Sequence, residues 1–270
     1  MTCTDALSAR TGLEQALAPG THILTATLCL NTGATTAPDY SVWTVSDWVA
    51  FPWEEQSAEA NRELLPAYKA NRVRDEAALK PLRAIPHVQQ GLTTYDIAWI
   101  EIDTAEADDV IATLVTNTEP DRAVWIMSGD RDFYQLLTDR VRVLNTVLHR
   151  GRRHIGPAEV AERYHVTPAQ WPDFCALKGD SADNIPGIKG IGPGTAAALL
   201  ADGLQLEQLL DSGRLAGAKQ ARVIAEWQQV LAWRELIRMH TDLELPCHPT
   251  GHPTRDLPTP ADVIEKLGLW

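Results

Sequence analysis

The sequence predicts an α/β fold in which a mostly parallel central sheet is covered by helices on both faces and is followed by a helical region. Over the first half of the chain, apolar β-rich runs alternate with helical patterns, which is typical of such sheets. From about residue 156, helical patterns follow one another without a β-rich run. Hydrophobic residues make up 44% of the 270 residues, enough for a substantial core.

The first elements are the least distinct. The apolar run HILTATLCL at 22–30 is interpreted as a helix, although a strand is also compatible with a run this short. YSVWTV at 40–45 is β-rich and predicts a strand that ends shortly before Asp47. Residues 54–70 are interpreted as a polar helix, and a basic segment follows as far as Arg83.

The next elements alternate more clearly. IAWIEI at 97–102 predicts a strand, residues 105–117 predict a helix, and AVWIMS at 123–128 predicts a short buried strand. DFYQLLT, which begins at Asp132, predicts the start of a helix, and VRVLNTV at 141–147 predicts a strand.

The change in pattern predicts the division of the chain. We expect an α/β core over residues 1–155, a helical region over 156–240 and a C-terminal tail over 241–270. The tail is rich in Pro, His and Thr and is interpreted as loop, with a short helix at its end.

Charge and composition limit the function classes. The net charge of −12 argues against a nucleic-acid partner, unless carboxylates are concentrated at one site where bound cations reverse the local field. No apolar run reaches the ~18 residues of a membrane span, and no secretory signal is visible. The four cysteines lack CxxC spacing, which favours free thiols and a cytoplasmic location.

Acidic residues occur in clusters after predicted strands and at helix starts. The carboxyl ends of parallel strands meet at one edge of a sheet, so these side chains are expected to converge there. Magnesium prefers oxygen ligands, and two ions can clamp the attacking and leaving oxygens of a phosphodiester. Each cluster alone could be a helix cap or a turn, but together they favour a site for two Mg²⁺ or Mn²⁺ ions. The clusters are Asp47; Glu106, Asp108 and Asp109; Asp130 and Asp132; and Asp180 and Asp183.

A glycine-rich segment, GIKGIGPGTAAALL, has the form of a hairpin that runs into a helix beginning near Thr195. Gly190, Gly192 and Gly194 permit positive φ and a close backbone approach, so successive N–H groups can face a phosphate. The positive end of the helix adds to the attraction. An ordinary tight turn between helices is the alternative.

A second candidate for nucleic-acid binding is the segment AYKANR. Tyr68 can stack on a base, and Lys69 and Arg72 lie three residues apart on one predicted helical face. A solvated basic face is the alternative. Further basic residues are Arg74, Lys80 and Arg83, which could be ordinary surface charge, and Arg150, Arg152 and Arg153, which could form a hairpin turn or contact a phosphate.

Three of these segments, EADDVIATL, SGDRDFYQLLT and FCALKGDSADNIPGIKGIGPGTAAALL, together resemble the 5′-nuclease family, which includes the N-terminal domain of bacterial DNA polymerase I and phage 5′-exonucleases. The resemblance runs from about Asp47 to Leu245. It implies a PIN-like core and a helix-hairpin-helix-type DNA-binding region that carries the glycine hairpin. It also implies an arch segment at about 54–85, which admits single-stranded 5′ ends.

The resemblance also implies roles for the candidate residues. AYKANR is similar to the YKxxR element at the base of the arch, where Lys69 and Arg72 would be catalytic by neutralising the scissile phosphate. Asp180 and Asp183 would hold the second metal ion. The first metal region would be held by Glu106, Asp108, Asp109, Asp130 and Asp132, and Asp47 follows the strand that carries a further family acid.

The expected function is that of a 5′–3′ exonuclease or 5′-flap endonuclease that acts as a monomer on DNA with 5′ ends or flaps, with a separate DNA polymerase as a further candidate partner. Family members open with an apolar strand ending in Asp-Gly, whereas only MTCT precedes Asp5 and no glycine follows it. This departure leaves an alternative open, a structure-specific DNA-binding protein with weak or no cleavage. A small toxin-type ribonuclease of related fold is disfavoured, because such proteins lack the long helical region.

Overall fold

A computed structural model provides the structure of the chain. It describes residues 26–31, 40–45, 61–62, 65–70, 85–94, 99–102, 105–145, 148, 153–246, 262 and 265–266, and for the first two ranges it describes the backbone alone.

The strands of the described residues form two sheets. Strand β1 (Ala26–Asn31) pairs in parallel with β2 (Tyr40–Val45). Strand β3 (Val124–Met127) pairs in parallel with β4 (Val141–Leu144), and β5 (His154–Ile155) adds to β4 in the antiparallel direction. The parallel pairs agree with the predicted class, while β5 departs from it.

The interpretation of residues 22–30 as a helix was wrong where the structure describes them, because residues 26–31 form β1. A short apolar run does not distinguish a helix from a buried strand by its periodicity. Hydrogen bonding to β2 decides that this run is a strand, and the local sequence pattern does not reveal that partner.

The predicted helix at 54–70 is also incorrect at its C-terminal end. Within the described part, residues 61–62 are helical and residues 66–70 form a turn, here called the Lys69 turn. Pro66 has no N–H to continue a helical ladder, and Lys69 has φ 51°, in the left-handed region. Lys69 therefore does not lie on a helical face with Arg72, which is outside the described residues.

Two predicted strands need correction. Residues 99–102 of the run IAWIEI have no regular structure, and Trp99 is 41% exposed. The strand at 123–128 exists as β3, but it is not buried throughout: Ile126 is buried, whereas Trp125 and Met127 are exposed. The helix predicted from Asp132 is a short 3₁₀ helix, Asp132–Leu136.

Most helices of the described residues lie after residue 156, as predicted, whereas the helix at 85–94 was not predicted. The helices are α1 (Ile85–Thr94), α2 (Ala107–Thr116), α3 (Pro157–Tyr164), α4 (Trp171–Lys178), α5 (Pro193–Leu199), α6 (Leu206–Leu209), α7 (Gly217–Ala225) and α8 (Trp227–Ile237). Short 3₁₀ helices also occur at Pro168–Gln170 and Ala201–Gly203. None of the described helices has the length and apolar character to cross a lipid bilayer.

Helix α4 is the centre of the core. Its first seven residues, 171–177, are all buried, as expected of a helix surrounded by other elements. The Trp171 ring packs edge-on against Tyr164 and Tyr134, with ring centroids 4.9 and 5.0 Å away. On the opposite side, the carboxylate of Asp173 accepts the Leu206 N–H at 2.8 Å. Because α4 is fixed on all sides, the segment that leaves its C-terminal end is held in a defined position.

Candidate active site

The Lys69 turn packs against residues 180–185, here called the Asp180 loop. The Lys69 N–H donates to the Asp183 carbonyl at 3.1 Å. The side-chain amide of Asn184 donates to the Ala67 carbonyl at 2.7 Å, across 117 residues of sequence. Two of the predicted motifs, AYKANR and GDSADN, therefore meet through one backbone hydrogen bond and one bond from a side-chain amide.

The buried side chains of the Lys69 turn contact the first acidic cluster. Lys69 is 5% exposed and its ammonium forms an ion pair with the Glu106 carboxylate. The Tyr68 hydroxyl donates to the same carboxylate at 3.5 Å. Burial raises the pKa of Tyr68, with Asp183 and Glu106 adding to the effect, so its hydroxyl remains a donor. Tyr68 is 2% exposed, so it does not present a free face for a base in this arrangement.

Glu106, Asp108 and Asp109 begin helix α2, as predicted, but their side chains have different neighbours. Burial, reinforced by the charge of Glu106, raises the pKa of Asp108 to about 7, although Lys69 opposes the shift. Asp109 accepts the His240 N–H at 2.8 Å and so joins α2 to the segment after α8. Its pKa is raised by burial, against the effect of that hydrogen bond.

Asp130 and Asp132 follow β3 in a tight turn. The Asp130 carboxylate accepts the Asp132 N–H at 3.0 Å, and the Asp130 N–H donates to Ser128 Oγ at 3.0 Å. Burial raises the pKa of Asp132 well above its usual range, and the carboxylates of Asp130, Asp183 and Asp180 raise it further. Asp108, at the start of α2, has a smaller effect in the same direction, so acids from two other chain segments act on Asp132.

The Asp180 loop is closed by two backbone hydrogen bonds between Asp180 and Ile185, of 2.8 and 2.7 Å. Its base is a close backbone contact of two glycines. A Cβ on Gly179, which has φ 86°, would lie 2.6 Å from the Pro186 carbonyl oxygen. A Cβ on Gly187 would lie 2.2 Å from the Gly179 nitrogen. Both positions therefore require glycine.

Replacing Gly179 by alanine is expected to lower the free energy of unfolding by about 3 kcal/mol or more, since positive φ and a backbone clash both oppose the Cβ. Gly213 is the matched control. It has φ 72° but no atom within 4 Å of a Cβ, so Gly213→Ala is expected to cost only about 1 kcal/mol. Urea denaturation of both variants measures the difference, and equal losses would contradict the close contact at Gly179.

The glycine hairpin is anchored by buried isoleucines and leaves its tip exposed. Ile185, Ile188 and Ile191 are each 3% exposed, and the Ile188 N–H donates to the Leu177 carbonyl of α4 at 3.0 Å. Gly190 has positive φ, 89°. Gly192 has an extended backbone with φ −89°, so the positive φ that glycine permits is not used there.

Helix α5 begins at Pro193, two residues before the predicted start, so Gly194 lies inside its first turn. Helix α7 supports the hairpin from the side. The Arg222 guanidinium donates to the Lys189 carbonyl at 2.8 Å. Lys189, Lys219 and Arg222 are exposed, which gives this side of the molecule local positive charge despite the acidic total.

The acidic clusters form a donor set that fits divalent cations. Glu106, Asp108, Asp130, Asp132, Asp180 and Asp183 influence one another electrostatically. The raised pKa values of Asp108 and Asp132 mean that the nearby Lys69 and Lys178 only partly offset the negative charge. Added cations with a preference for oxygen ligands would relieve this repulsion.

Asp47 and Arg72 lie outside the described residues, as do Arg74, Lys80, Arg83, Arg150 and Arg152. Arg153 is 2% exposed and donates to the Leu148 carbonyl at 2.6 Å, so it supports the fold and does not offer a surface for phosphate. The sequence did not predict the hydrogen bond from Asn184 to the Ala67 carbonyl or the one from Arg222 to the Lys189 carbonyl. The left-handed backbone of Asn184, φ 59°, is common for asparagine but has no unique sequence signal.

Comparisons with known proteins agree with these motifs. Residues 24–165 match the family model of the 5′-3′ exonuclease N-terminal resolvase-like domain, and residues 166–258 match that of the 5′-3′ exonuclease C-terminal SAM fold. Thermostable DNA polymerase I of Thermus aquaticus is 35% identical over 202 residues, 74% of this chain. The matched part is 23% of that polymerase, so the chain spans under a quarter of its length.

Solved structures of bacteriophage T5 proteins are also similar. The T5 5′-exonuclease with bound zinc ions has a TM-score of 0.57 and 26% identity, with 66% of this chain and 69% of that chain covered. The T5 D15 flap endonuclease, in a pseudo-enzyme-product complex with DNA and metal ions, has a TM-score of 0.53 and 25% identity, with 66% and 68% covered.

Proposed function

The chain belongs to the 5′–3′ exonuclease family, and we propose that it hydrolyses DNA phosphodiesters near 5′ ends or flaps with two Mg²⁺ or Mn²⁺ ions. One observation carries the proposal. Carboxylates from three separate segments act together on Asp132, and the ammonium of Lys69 pairs with Glu106 of the same cluster. The T5 relatives solved with metal ions, and in one case with DNA, support the same chemistry.

In this proposal the fold is PIN-like, with a mostly parallel central sheet that includes β3 and β4. The nuclease core extends over residues 1–155, with its arch at about 54–85. A helix-hairpin-helix-type region extends over 156–240, and the tail over 241–270. A separate DNA polymerase would be a further partner.

The metal ions would be held by the two acidic regions. Asp180 and Asp183 would hold one ion, and Glu106, Asp108, Asp109, Asp130 and Asp132, with Asp47, would hold the other. When bound, such ions stabilise charge on the attacking and leaving oxygens of the phosphodiester. One carboxylate oxygen of Asp109 would remain bonded to the His240 N–H, which it accepts in the structure.

The residues of the Lys69 turn would act on the phosphate. Lys69 is buried beside the acids, so its charge is in a medium where a developing negative charge is strongly stabilised. Arg72 would extend this positive charge toward the substrate. The docking of the turn on Asp183 holds Lys69 near the second acidic region.

The duplex would be held by the exposed glycine hairpin. Gly192 and Gly194 have no atom within 4 Å of an added Cβ, and the neighbour at Gly190 is the Arg222 guanidinium, so a phosphate could approach the backbone N–H groups here. Such contacts position DNA without selecting a sequence. Exposed Lys189 and Arg222 would add counterion-dependent attraction.

Replacing Gly192 by valine is expected to weaken binding of all duplexes by about tenfold, regardless of sequence, because the side chain would stand where the phosphate approaches. The fold should tolerate the change, since φ is −89° and no atom lies within 4 Å of the added Cβ. Binding measured in Ca²⁺, which blocks cleavage, provides the test, with thermal stability as a check on folding. Unchanged affinity would exclude this surface from the DNA interface.

The function itself is tested with a 5′-flap DNA substrate incubated with and without Mg²⁺. We expect cleavage only with the metal. Metal-dependent cleavage of RNA but not DNA would contradict the substrate assignment. Tight flap binding without cleavage in Mg²⁺ or Mn²⁺ would support the alternative of a structure-specific binding protein.

A further inference from the structure

A thiol lies among the predicted metal ligands. Cys175 Sγ and carboxylate oxygens of Asp132 and Asp180 all lie within 4.8 Å of one another. The three residues come from different elements: the start of a 3₁₀ helix, the buried face of α4 and the Asp180 loop. Cys175 is fully buried and free.

The distances suit one tetrahedral ion after a small contraction. Zn–S and Zn–O bonds of about 2.3 and about 2.1 Å place neighbouring ligand atoms about 3.5 Å apart. The ligand atoms lie within 4.8 Å, so movements of about 1 Å would bring them together. Such movements would fall to Asp132 and Asp180, which are only partly buried, whereas Cys175 is fully buried.

The electrostatic surroundings favour a cation over an unliganded thiol. Asp130 and Asp183 add negative potential at Asp132. Burial raises the pKa of Cys175, and Lys178, which donates a hydrogen bond toward the thiol, opposes the shift. A thiol binds a metal ion as the thiolate, so its proton would pass to solvent when a soft cation binds.

We propose that Cys175, Asp132 and Asp180 form a site for one thiophilic divalent cation of the Zn²⁺ or Cd²⁺ class. Thiolate ligands select such ions, whereas an all-oxygen set selects Mg²⁺ or Mn²⁺. Because two of the three ligands also belong to the proposed magnesium site, a thiophilic ion would compete with Mg²⁺ there. This competition rests on the proposed function, but the existence of the thiolate site does not.

The test is a titration of the full chain with Cd²⁺, in which binding is measured by the thiolate-to-cadmium charge-transfer absorbance. The other three cysteines, Cys3, Cys29 and Cys247, remain in the Cys175→Ser variant, so the difference from the wild type isolates Cys175. We expect one tight equivalent to be lost in Cys175→Ser, with Cd²⁺ affinity lower by at least about 10²-fold, and to be retained in Cys247→Ser. Full absorbance in Cys175→Ser would overturn the proposal.

Cys175→Ala provides a second variant in case serine disturbs the buried position. Asp180→Asn should retain the thiol but weaken the same absorbance, which a cysteine acting alone would not show. Cleavage of flap DNA in Mg²⁺, with and without added Zn²⁺, is measured separately on the wild type. If no cleavage occurs in Mg²⁺, the proposed function fails while the absorbance titration still decides the thiolate site.

Discussion

Replacing Asp132 by asparagine is expected to lower the single-turnover rate of flap cleavage by about 10³-fold or more, while binding of flap DNA in Ca²⁺ persists. The loss corresponds to about 4 kcal/mol of transition-state stabilisation, which is the scale expected when a metal ion loses a ligand. DNA binding should not weaken, because the change removes a negative charge from the site. Asp130→Ala and Asp180→Ala are expected to behave similarly.

Asp139→Asn is the matched control, because Asp139 is exposed and lies in the turn before β4, away from the acidic cluster. It should cleave at the wild-type rate. A cleavage rate in Asp132→Asn within a fewfold of the control would remove Asp132 from the metal site.

The same substitution is expected to stabilise the metal-free protein. The pKa of Asp132 is raised in the folded state by burial and by neighbouring carboxylates, so the folded chain binds a proton more tightly than the unfolded chain. The contribution of Asp132 to the stability of the metal-free wild type is therefore fully present below the unfolded pKa and is lost as pH rises through the folded pKa. Asparagine does not titrate, so the variant lacks this contribution to the pH dependence of stability. Thermal melts without metal at acidic and neutral pH should show a smaller pH effect in Asp132→Asn.

Replacing Lys69 by alanine is expected to lower the single-turnover rate by ~10²-fold and to change flap binding far less. The ammonium matters most when the phosphate gains negative charge, so its loss acts on the transition state more than on the bound substrate. Rates at saturating enzyme and affinities in Ca²⁺ separate the two effects.

Gly192→Val is expected to show the opposite pattern: its affinity for flap DNA should fall, whereas its single-turnover rate at saturating enzyme should be close to that of the wild type. Lys189→Ala is the matched control for charge, because Lys189 is exposed near the hairpin and should alter affinity without altering the saturated rate. If Lys69→Ala lost affinity alone, the assignment of Lys69 to the reacting phosphate would be wrong.

Motifs with several spaced residues were the most informative part of the sequence. The segment around Asp180 predicted the family, and the acids after β3 and at the start of α2 lie where the pattern placed them. Their interpretation did not depend on secondary structure in detail. It depended on the length of the segment, because many specific residues in a fixed order rarely match a family by chance.

The errors arose where long-range contacts decide the local structure. Residues 26–31 become a strand through pairing with β2, and the Lys69 turn obtains its shape from hydrogen bonds to the Asp180 loop. The orientation of Asp109 toward His240 is likewise set by a segment 131 residues away. Local patterns contain no information about such partners.

The hydrogen bonds that join the Lys69 turn to the Asp180 loop make the two family modules interdependent. Lys69 and Ala67 belong to the first module, whereas Asp183 and Asn184 belong to the second. A fragment that ended at residue 165 would retain Glu106 and Asp132 but lose the surface on which the turn rests. Because these contacts close a loop of more than a hundred residues, they are expected to form late in folding, so catalytic competence should appear only after both modules have docked.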